Sequence, residues 1–359
     1  MTHLQAFQAE LSANHLDGAI ISSEVGQRYL TDFPFSDGFL LITPDSAYLL
    51  TDSRYIEAAK EAVRNFEILL PDKTMLDTIA ELIATHKLAR VAIEEDELSF
   101  AEYERFGKAL SEVTLLSGAS SILRAQRAVK TAEELDRIAR AQEITDRAFE
   151  HILTFIANNL NTATEQEIAL ELEFFMRKQG SEGVAFDTIA VSGSASSRPH
   201  GVPSGVKLRR GFLTMDFGAR IGGYCSDMTR TVVLGKATEE ERTIYQTVLA
   251  AQQNALAQIH AGMPCRDADE LARSVIRSAG YGSAFGHSLG HGVGLVVHES
   301  PSLSPRAKED SLLTVGNVVT VEPGIYLEGN CGCRIEDMVA ITEDGILNFT
   351  KSKKELIEL

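Results

Sequence analysis

The stretch MDFGARIGGYCSDMTRT, residues 215–231, decides the fold of the C-terminal part of the chain. Its two ends alternate apolar and polar residues, as strands with one polar face do. The middle, GARIGG, can reverse the chain, because glycine adopts the left-handed backbone that a tight hairpin requires. The pattern predicts two neighbouring antiparallel strands, with Asp216 on the first and Asp227 on the second. These two carboxylates are then expected to converge across the strand pair.

Two carboxylates this close together and buried need a positive charge between them. Asp216 and Asp227 lie among Leu, Met and Phe residues, where ionised carboxylates repel each other unless a cation neutralises both. A single aspartate in a strand is usually a turn or edge residue, so the argument rests on the pair. The pattern favours a metal site over a structural role.

Three more candidate ligands follow along the chain. His291 lies in GHSLGHGVG, Glu322 follows the apolar run VVTV and precedes Pro323, and Glu336 lies in RIEDMV. Four carboxylates and one imidazole form a hard-ligand set that suits two divalent ions with shared, bridging carboxylates. The set predicts metal-assisted hydrolysis.

The glycines around His291 argue against a helix. His287 and His291 have the i, i+4 spacing of a helical zinc pair, but four nearby glycines make a helix unfavourable: Gly286, Gly290, Gly292 and Gly294. We expect these glycines to let the backbone pass close to a metal or a substrate. Taken alone, either histidine is also compatible with a hydrogen-bonded core residue.

The alternation of RIEDMV places Arg334 and Glu336 on one face and Asp337 on the other. Arg334 is then expected beside Glu336, either as a simple ion pair or to orient Glu336 and bind a substrate carboxylate. Asp337 is expected at the surface or behind the ligands. His200 and His298 are candidates to donate to a substrate carbonyl oxygen or to a tetrahedral intermediate.

The bulk composition sets the class of protein. The chain has 359 residues, 44% of them hydrophobic and 24% charged, which is enough for two ordinary globular domains. The net charge of −17 disfavours nucleic acid and anionic membranes as partners. No signal peptide is evident, and no apolar run approaches the roughly 18 residues of a membrane span. We therefore expect a cytoplasmic protein whose four cysteines, Cys331 and Cys333 among them, are reduced thiols.

Two domains are predicted. In residues 1–122, GAIISS and RVAIEE resemble buried strands, GFLLITPDSAYLLTD a hairpin, and SRYIEAAKEAV and DTIAELIATHK helices. This part predicts an α/β domain with a mixed sheet. Thr131 and Glu134 form a capping box that opens a long amphipathic helix and a second domain, residues 123–359. Further helices are expected from Thr164 to Gly180, at 239–260 and at 267–279. A helix–strand duplication within the second domain is left open.

The phrases MDFG, SDMTRT, GHGVG, VHE-x-P, EPG and RIED, in this order, resemble those of the pita-bread metallopeptidases. The Xaa-Pro dipeptidases (prolidases) and aminopeptidases P are the most similar. TDSRY after the predicted hairpin resembles the creatinase-type N-terminal domain. The resemblance covers essentially the whole chain. It implies an α+β protein in which a creatinase-like domain, 1–122, precedes a pita-bread catalytic domain, 123–359.

The resemblance also implies a role for each candidate ligand. Asp216 would bind one ion, and Asp227 and Glu336 would bridge both. His291 and Glu322 would complete the shell of the other ion, and Glu322 would handle the proton of the bridging water that attacks the scissile carbonyl. These ligand types favour Mn²⁺ or Co²⁺, with Zn²⁺ as a further candidate.

The same resemblance assigns the substrate side of the site. His200 and His298 would stabilise the tetrahedral intermediate or transfer a proton, and Arg334 would support substrate binding. The implied substrate is a small peptide with proline at its second position. The tertiary amide before proline lacks an N–H, so proteases that bind substrate as an added strand recognise it poorly. Family likeness further implies a homodimer.

Several alternatives compete with this interpretation. A methionine aminopeptidase would share the five ligands but needs no N-terminal domain of this kind. A creatinase-like amidinohydrolase or a non-catalytic pita-bread module that binds peptides or proteins would be expected to have lost ligands, and this set is complete. Between an Xaa-Pro dipeptidase and an aminopeptidase P, the compact chain favours the dipeptidase, and the choice stays open.

Overall fold

The computed structural model describes residues 1–359. The chain forms two units, Met1–Arg127 and Ala128–Leu359, and each has its own hydrophobic core. The predicted boundary between residues 122 and 123 falls inside the helix Ala119–Ala128. No helix combines the length and the apolar character that crossing a membrane requires.

The N-terminal unit is built on a six-stranded mixed sheet, as the sequence predicts. In chain order its elements are α1 (His3–Ala13), β1 (Gly18–Ile21), α2 (Glu24–Thr31), β2 (Phe39–Ile42), β3 (Ala47–Leu50), α3 (Ile56–Ala62), β4 (Glu67–Leu69), α4 (Met75–His86), β5 (Arg90–Ile93), α5 (Phe100–Ala109), β6 (Thr114–Leu116) and α6 (Ala119–Ala128). The strand order is β4-β3-β2-β1-β5-β6, with an antiparallel centre and parallel outer pairs. The predicted hairpin is β2–β3, and its turn is closed by the Thr43 N–H, which donates to the Ser46 carbonyl at 2.8 Å.

The C-terminal unit places helix pairs against short sheets. Its elements are α7 (Ala132–Asn159), α8 (Glu165–Lys178), β7 (Ile189–Ser192), β8 (Gly211–Phe217), β9 (Arg220–Ile221), β10 (Tyr224–Cys225), β11 (Met228–Leu234), α9 (Glu239–Gln258), α10 (Cys265–Ser278), β12 (Gly290–Gly292), β13 (Glu299–Leu303), β14 (Val318–Val321), β15 (Gly324–Leu327), β16 (Cys331–Arg334), β17 (Asp337–Thr342) and β18 (Gly345–Asn348). The sheets are β11-β8-β7, β13-β12-β14-β17-β18, and the hairpins β9–β10 and β15–β16.

The helices of this unit begin at local signals in the sequence. Thr131 caps α7 and Thr164 caps α8, each in a reciprocal capping box with the glutamate three residues later. α8 is followed by Gly180, whose φ of +100° suits the residue that ends a helix. α7 and α8 pack their apolar faces on β7, β8 and β11, and α9 and α10 pack on the sheet that contains β14 and β17. The four predicted helices of this domain are confirmed.

Equivalent backbone hydrogen bonds show that the helix–strand arrangement of the C-terminal unit is duplicated, which was not apparent from the sequence. The N–H of Glu165, which begins α8, donates to the Val206 carbonyl at 3.1 Å. The N–H of Cys265, which begins α10, donates to the Ser311 carbonyl at 2.9 Å. In each half, a helix pair is thus fastened at the same point to the loop that leads into a central strand.

The hairpin predicted within residues 215–231 has its turn at the expected glycines. Gly222 and Gly223 have φ values of +56° and +85° and connect β9 to β10. The returning strand is interrupted, however, because Ser226 and Asp227 belong to neither β10 nor β11. β11 then pairs with β8 along its whole length.

Candidate active site

Three of the five predicted ligands lie where the chain passes from one sheet to another. Asp227 separates β10 from β11, Glu322 follows β14 and precedes β15, and Glu336 separates β16 from β17. β14 and β17 are partners in one sheet, whereas β15 and β16 are partners in another. Residues at such breaks leave the strand ladder, and their side chains are directed into the space between the sheets.

Asp216 lies within a strand and faces the same space. On β8 it is directly opposite Thr229 of β11 on one side and Ile189 of β7 on the other. The residue is 9% exposed, and its Oδ1 is buried without a hydrogen-bond donor. A buried carboxylate oxygen that accepts no hydrogen bond is costly, and a cation beside it would remove that cost.

His291 connects the carboxylates. Its Nε2 lies 3.6 Å from Asp227 Oδ2 and 3.3 Å from Glu322 Oε1. Its Nδ1 lies 3.1 Å from the Gly292 carbonyl, which can only accept, so Nδ1 carries a proton and Nε2 faces the acids. Donor atoms of Asp227, His291 and Glu336 all lie within 4.8 Å of one another. One divalent ion could be held by all three.

The electrostatics of the cluster also favour a cation. Burial, and then the charge of Glu336, raises the pKa of Asp227 well above its usual value. Burial and the charge of Glu322 likewise raise the pKa of Glu336. Burial opposes ionisation of Glu322 too, but its hydrogen bond with His291 and the charge of that ring outweigh burial and lower the pKa of Glu322 to about 2. Arg334 and protonated His291 can balance only two of the four carboxylates, so ionisation of the other two requires further positive charge at the cluster.

The ligands surround a cavity of about 620 Å³. All eight predicted site residues line it: His200, Asp216, Asp227, His291, His298, Glu322, Arg334 and Glu336. The rest of the wall is largely apolar and includes Phe186, Ile189, Val202, Pro203 and Val297. His200 and His298 are exposed at this cavity, and the His298 ring meets the His291 ring edge-on at a centroid distance of 4.2 Å. The structure thus brings the predicted set together, with Asp216, Asp227 and Glu336 buried and two imidazoles accessible.

The strand alternation led us to expect an ion pair between Arg334 and Glu336, but the structure does not contain it. The NH2 group of Arg334 donates to Asp216 Oδ2 at 2.6 Å, and its Nε donates to Thr229 Oγ1 at 2.9 Å. Thr229 in turn donates to Glu336 Oε2 at 2.7 Å. The expected direct ion pair was wrong because β16 ends at Arg334, so the alternation does not continue to Glu336. Arg334 reaches Glu336 only through Thr229, which is compatible with the alternative that it orients Glu336.

A tyrosine that the sequence analysis missed completes the surroundings of Arg334. NH1 of Arg334 donates to the Tyr326 hydroxyl at 2.6 Å, and that hydroxyl lies 3.0 Å from His287 Nε2. His287 Nδ1 is 2.8 Å from the Ser288 carbonyl, so Nε2 is the acceptor when the ring is neutral. The register of the β15–β16 hairpin brings Tyr326 there: Gly324 pairs with Arg334, and Tyr326 is two residues further along the same face.

Asp337 was predicted at the surface or behind the ligands, and the surface expectation was wrong. It is completely buried and pairs with Arg230 at 2.9 Å and with Lys354 at 2.6 Å. Arg230 also donates to the carbonyl of Glu336 and to the carbonyl of Ser352. This buried ion cluster fixes the backbone beside Glu336 to the C-terminal segment.

The glycines near His291 serve strand packing. A Cβ on Gly290 would lie 2.0 Å from the Thr320 carbonyl oxygen, and a Cβ on Gly292 would lie 2.2 Å from the Ser300 carbonyl oxygen. The close approach at Gly290 and Gly292 is therefore between β12 and the adjoining backbone. Gly290–Gly292 is a strand, so the absence of a helix here is confirmed.

Gly290→Ala should lower the free energy of unfolding by about 2–4 kcal/mol, because the added methyl group overlaps a backbone atom that cannot move alone. Urea denaturation of the metal-free protein would measure it. Gly286→Ala is the matched control, since a Cβ there would meet nothing within 4 Å. Equal stabilities of the two variants would contradict the steric argument.

Comparison with known proteins agrees with the site. Residues 136–343 match the model of metallopeptidase family M24, and residues 3–129 match the creatinase/prolidase N-terminal domain. The chain belongs to metallopeptidase family M24. It is 37% identical over 351 residues to the Xaa-Pro dipeptidase of Pyrococcus furiosus, covering 97% of each chain.

Solved structures of M24 proteins are similar over nearly the whole chain. An Xaa-Pro dipeptidase from Bacillus anthracis has a TM-score of 0.95 and 39% identity, covering 99% of each chain. An X-Pro aminopeptidase from Thermotoga maritima has a TM-score of 0.89 and 38% identity, covering 96% of this chain and 98% of that one. The pita-bread fold and the creatinase-type N-terminal domain are confirmed, the chain is a metallopeptidase, and its family implies divalent metal ions.

Proposed function

We propose that this M24 protein is an Xaa-Pro dipeptidase that uses two divalent metal ions. The observation that carries the proposal is the cluster of four carboxylates and one imidazole, three of the acids buried, on the wall of a single cavity. Asp216, Asp227, His291, Glu322 and Glu336 would hold the ions. Carboxylate and imidazole ligands suit Mn²⁺ or Co²⁺, and Zn²⁺ is a further candidate. When bound, such ions polarise a peptide carbonyl and activate a water molecule.

The protein's own groups would bind and orient the substrate. His200 and His298 are exposed in the cavity and can donate to the oxygen of the scissile carbonyl as negative charge develops there. Glu322 lines the cavity, and its carboxylate can accept the proton of an attacking water.

The cavity suits the residues on both sides of a prolyl bond. Its wall includes Phe186, Ile189, Val202 and Pro203, which offer apolar surface to a proline ring. The prolyl amide has no N–H, and the cavity binds through side chains, so an added strand is not required. Arg334 donates to Asp216 and to the carbonyl of Pro199, beside His200, and we assign it to holding these groups at the cavity wall.

A dipeptidase is preferred to an aminopeptidase P because of the likeness to dipeptidases along the full chain. The similarity to the Thermotoga X-Pro aminopeptidase supports the second candidate, an enzyme that removes the first residue from longer peptides. A homodimer and a cytoplasmic location stay predictions from the sequence.

Metal-stripped protein refilled with Mn²⁺ should hydrolyse Ala-Pro and leave Ala-Pro-Ala largely intact. A dipeptidase must exclude chain beyond the proline, whereas an aminopeptidase P accepts it. The measurement is kcat/KM for both peptides, with Ala-Ala as the control for the need for proline and metal content determined by mass spectrometry. Efficient cleavage of the tripeptide would assign an aminopeptidase P instead. Bound Mn²⁺ without cleavage of either peptide would refute the Xaa-Pro assignment.

A further inference from the structure

A buried ion pair joins the start of the C-terminal unit to the strand that follows His298. Lys130 Nζ lies 2.8 Å from Glu299 Oε1, and the two side chains are 0% and 7% exposed. The Lys130 backbone N–H also donates to the Gly316 carbonyl at 2.8 Å. Removing two charges from water costs about as much as their attraction returns, so stability alone is a weak reason for such a pair. The position of the pair, next in sequence to the cavity residue His298, suggests a functional reason for it.

The pair closes one end of the loop that carries His298. This loop, residues 293–298, connects β12, which holds His291, to β13, which begins at Glu299. Nearer its start, the loop is tied to β10, because the Cys225 N–H donates to the Gly294 carbonyl at 2.8 Å. Glu299 is the first residue after the loop, so its attachment to Lys130 sets where the loop ends.

Because Gly294 has no side chain, the Glu299 carboxylate can lie directly against the backbone of the loop. A Cβ on Gly294 would be 2.1 Å from Glu299 Oε1. The carboxylate is therefore enclosed by the loop itself on one side and by Lys130 on the other. His298, by contrast, is exposed and has only an edge-on ring contact with His291 to orient it. The backbone next to His298 must supply the rest of its orientation.

We propose that Lys130 and Glu299 form a positioning pair that holds His298 at the cavity beside His291. This assignment rests on the proposed function, in which His298 contacts the substrate carbonyl. Neither Lys130 nor Glu299 lines the cavity, and we assign both an effect through the backbone of the loop. The pair thereby makes the segment between α6 and α7 part of the machinery of the active site.

Kinetics of Mn²⁺-loaded variants on Ala-Pro test the proposal. Lys130→Met should lower kcat on the order of tenfold with KM changed less than twofold, because a misplaced catalytic group affects the reaction more than binding. Lys130→Arg should restore most of kcat. In a His298→Ala background, Lys130→Met should change kcat less than twofold, since the group it positions is gone. A full tenfold loss in that background would overturn the proposal.

Lys130→Met removes the positive charge beside the buried Glu299 carboxylate, and a loss of stability must be separated from a loss of positioning. The double variant Lys130→Met, Glu299→Gln removes both charges, so it should regain stability while kcat stays low. Recovery of kcat together with stability would show a purely structural pair. Arg210→Met is the matched control, because it breaks a partly buried ion pair with Glu241 outside the cavity lining and should leave kcat unchanged.

Hydrogen–deuterium exchange gives a readout that does not depend on activity. Peptides covering 293–300 should exchange faster in Lys130→Met than in wild type, and the same peptides in Arg210→Met should not. If the wild type cleaves neither Ala-Pro nor Ala-Pro-Ala, the proposed function fails and exchange alone decides the positioning of the loop. Unchanged exchange over 293–300 in Lys130→Met overturns the pair's role in either case.

Discussion

Glu336→Gln should lower kcat/KM for Ala-Pro on the order of a thousandfold and reduce the bound metal. Glu336 is 1% exposed, and its donor atoms lie within 4.8 Å of those of Asp227 and His291. An amide keeps the shape of the carboxylate but removes the negative charge that would attract an ion. Catalytic ions supply several kcal/mol to the transition state, and about 4 kcal/mol corresponds to a thousandfold in rate. Kinetics and metal analysis of the purified variant would measure both effects.

The same substitution should stabilise the protein when no metal is present. In the wild type, Glu336 lies beside Asp227 and raises its pKa, so the two acids oppose each other's ionisation. Removing one of them should increase the free energy of unfolding of the metal-free protein by about 1–3 kcal/mol. Glu328→Gln, at the exposed turn of the β15–β16 hairpin, is the control and should change neither quantity. A metal-free Glu336→Gln protein less stable than wild type would argue against a cation site.

Local sequence signals were sufficient for the helices and most strands. Thr131 and Thr164 cap helices through residues only three positions away, so no tertiary information is needed to find them. The turn at Gly222 and Gly223 is equally local. Alternation within β8 and β11 correctly placed Asp216 opposite the returning strand. Each of these features is decided by contacts close along the chain.

The errors came where the chain changes sheets. Arg334 ends a strand of one sheet and Asp337 begins a strand of another, so a single alternation cannot describe both. Sequence gives no sign of that break, because RIEDMV has the residue types of one continuous strand. The ion pair of Arg334 with Asp216, 118 residues away, and the burial of Asp337 both follow from the break.

The glycines near His291 show the same limit of prediction from sequence, because their neighbours are distant along the chain. Gly290 is small because the Thr320 carbonyl, from a strand that begins 28 residues later, passes against it. Nothing in GHSLGHGVG indicates which atom will be near. The sequence therefore predicted that the backbone is approached closely, while only the structure identifies a neighbouring strand as the partner.

Arg334→Met should lower kcat/KM for Ala-Pro by about a hundredfold or more and also destabilise the metal-free protein. The guanidinium is 3% exposed and donates to Asp216, Thr229 and Tyr326. Without it, the buried carboxylate of Asp216 loses its ion-pair partner, which costs about 3–5 kcal/mol for a broken buried pair. Urea denaturation and steady-state kinetics would measure the two losses.

Addition of Mn²⁺ separates the two roles of Arg334. Bound cations should replace the missing positive charge beside Asp216, so the stability of Arg334→Met should recover more on Mn²⁺ addition than that of wild type increases. Activity should not recover, because a metal ion cannot donate to the Pro199 carbonyl or the Tyr326 hydroxyl in place of the guanidinium fork. Arg334→Lys keeps the charge without the fork and should resemble wild type in stability more than in kcat/KM. If Arg334→Lys instead restores kcat/KM fully, charge alone explains the residue and its geometry is immaterial.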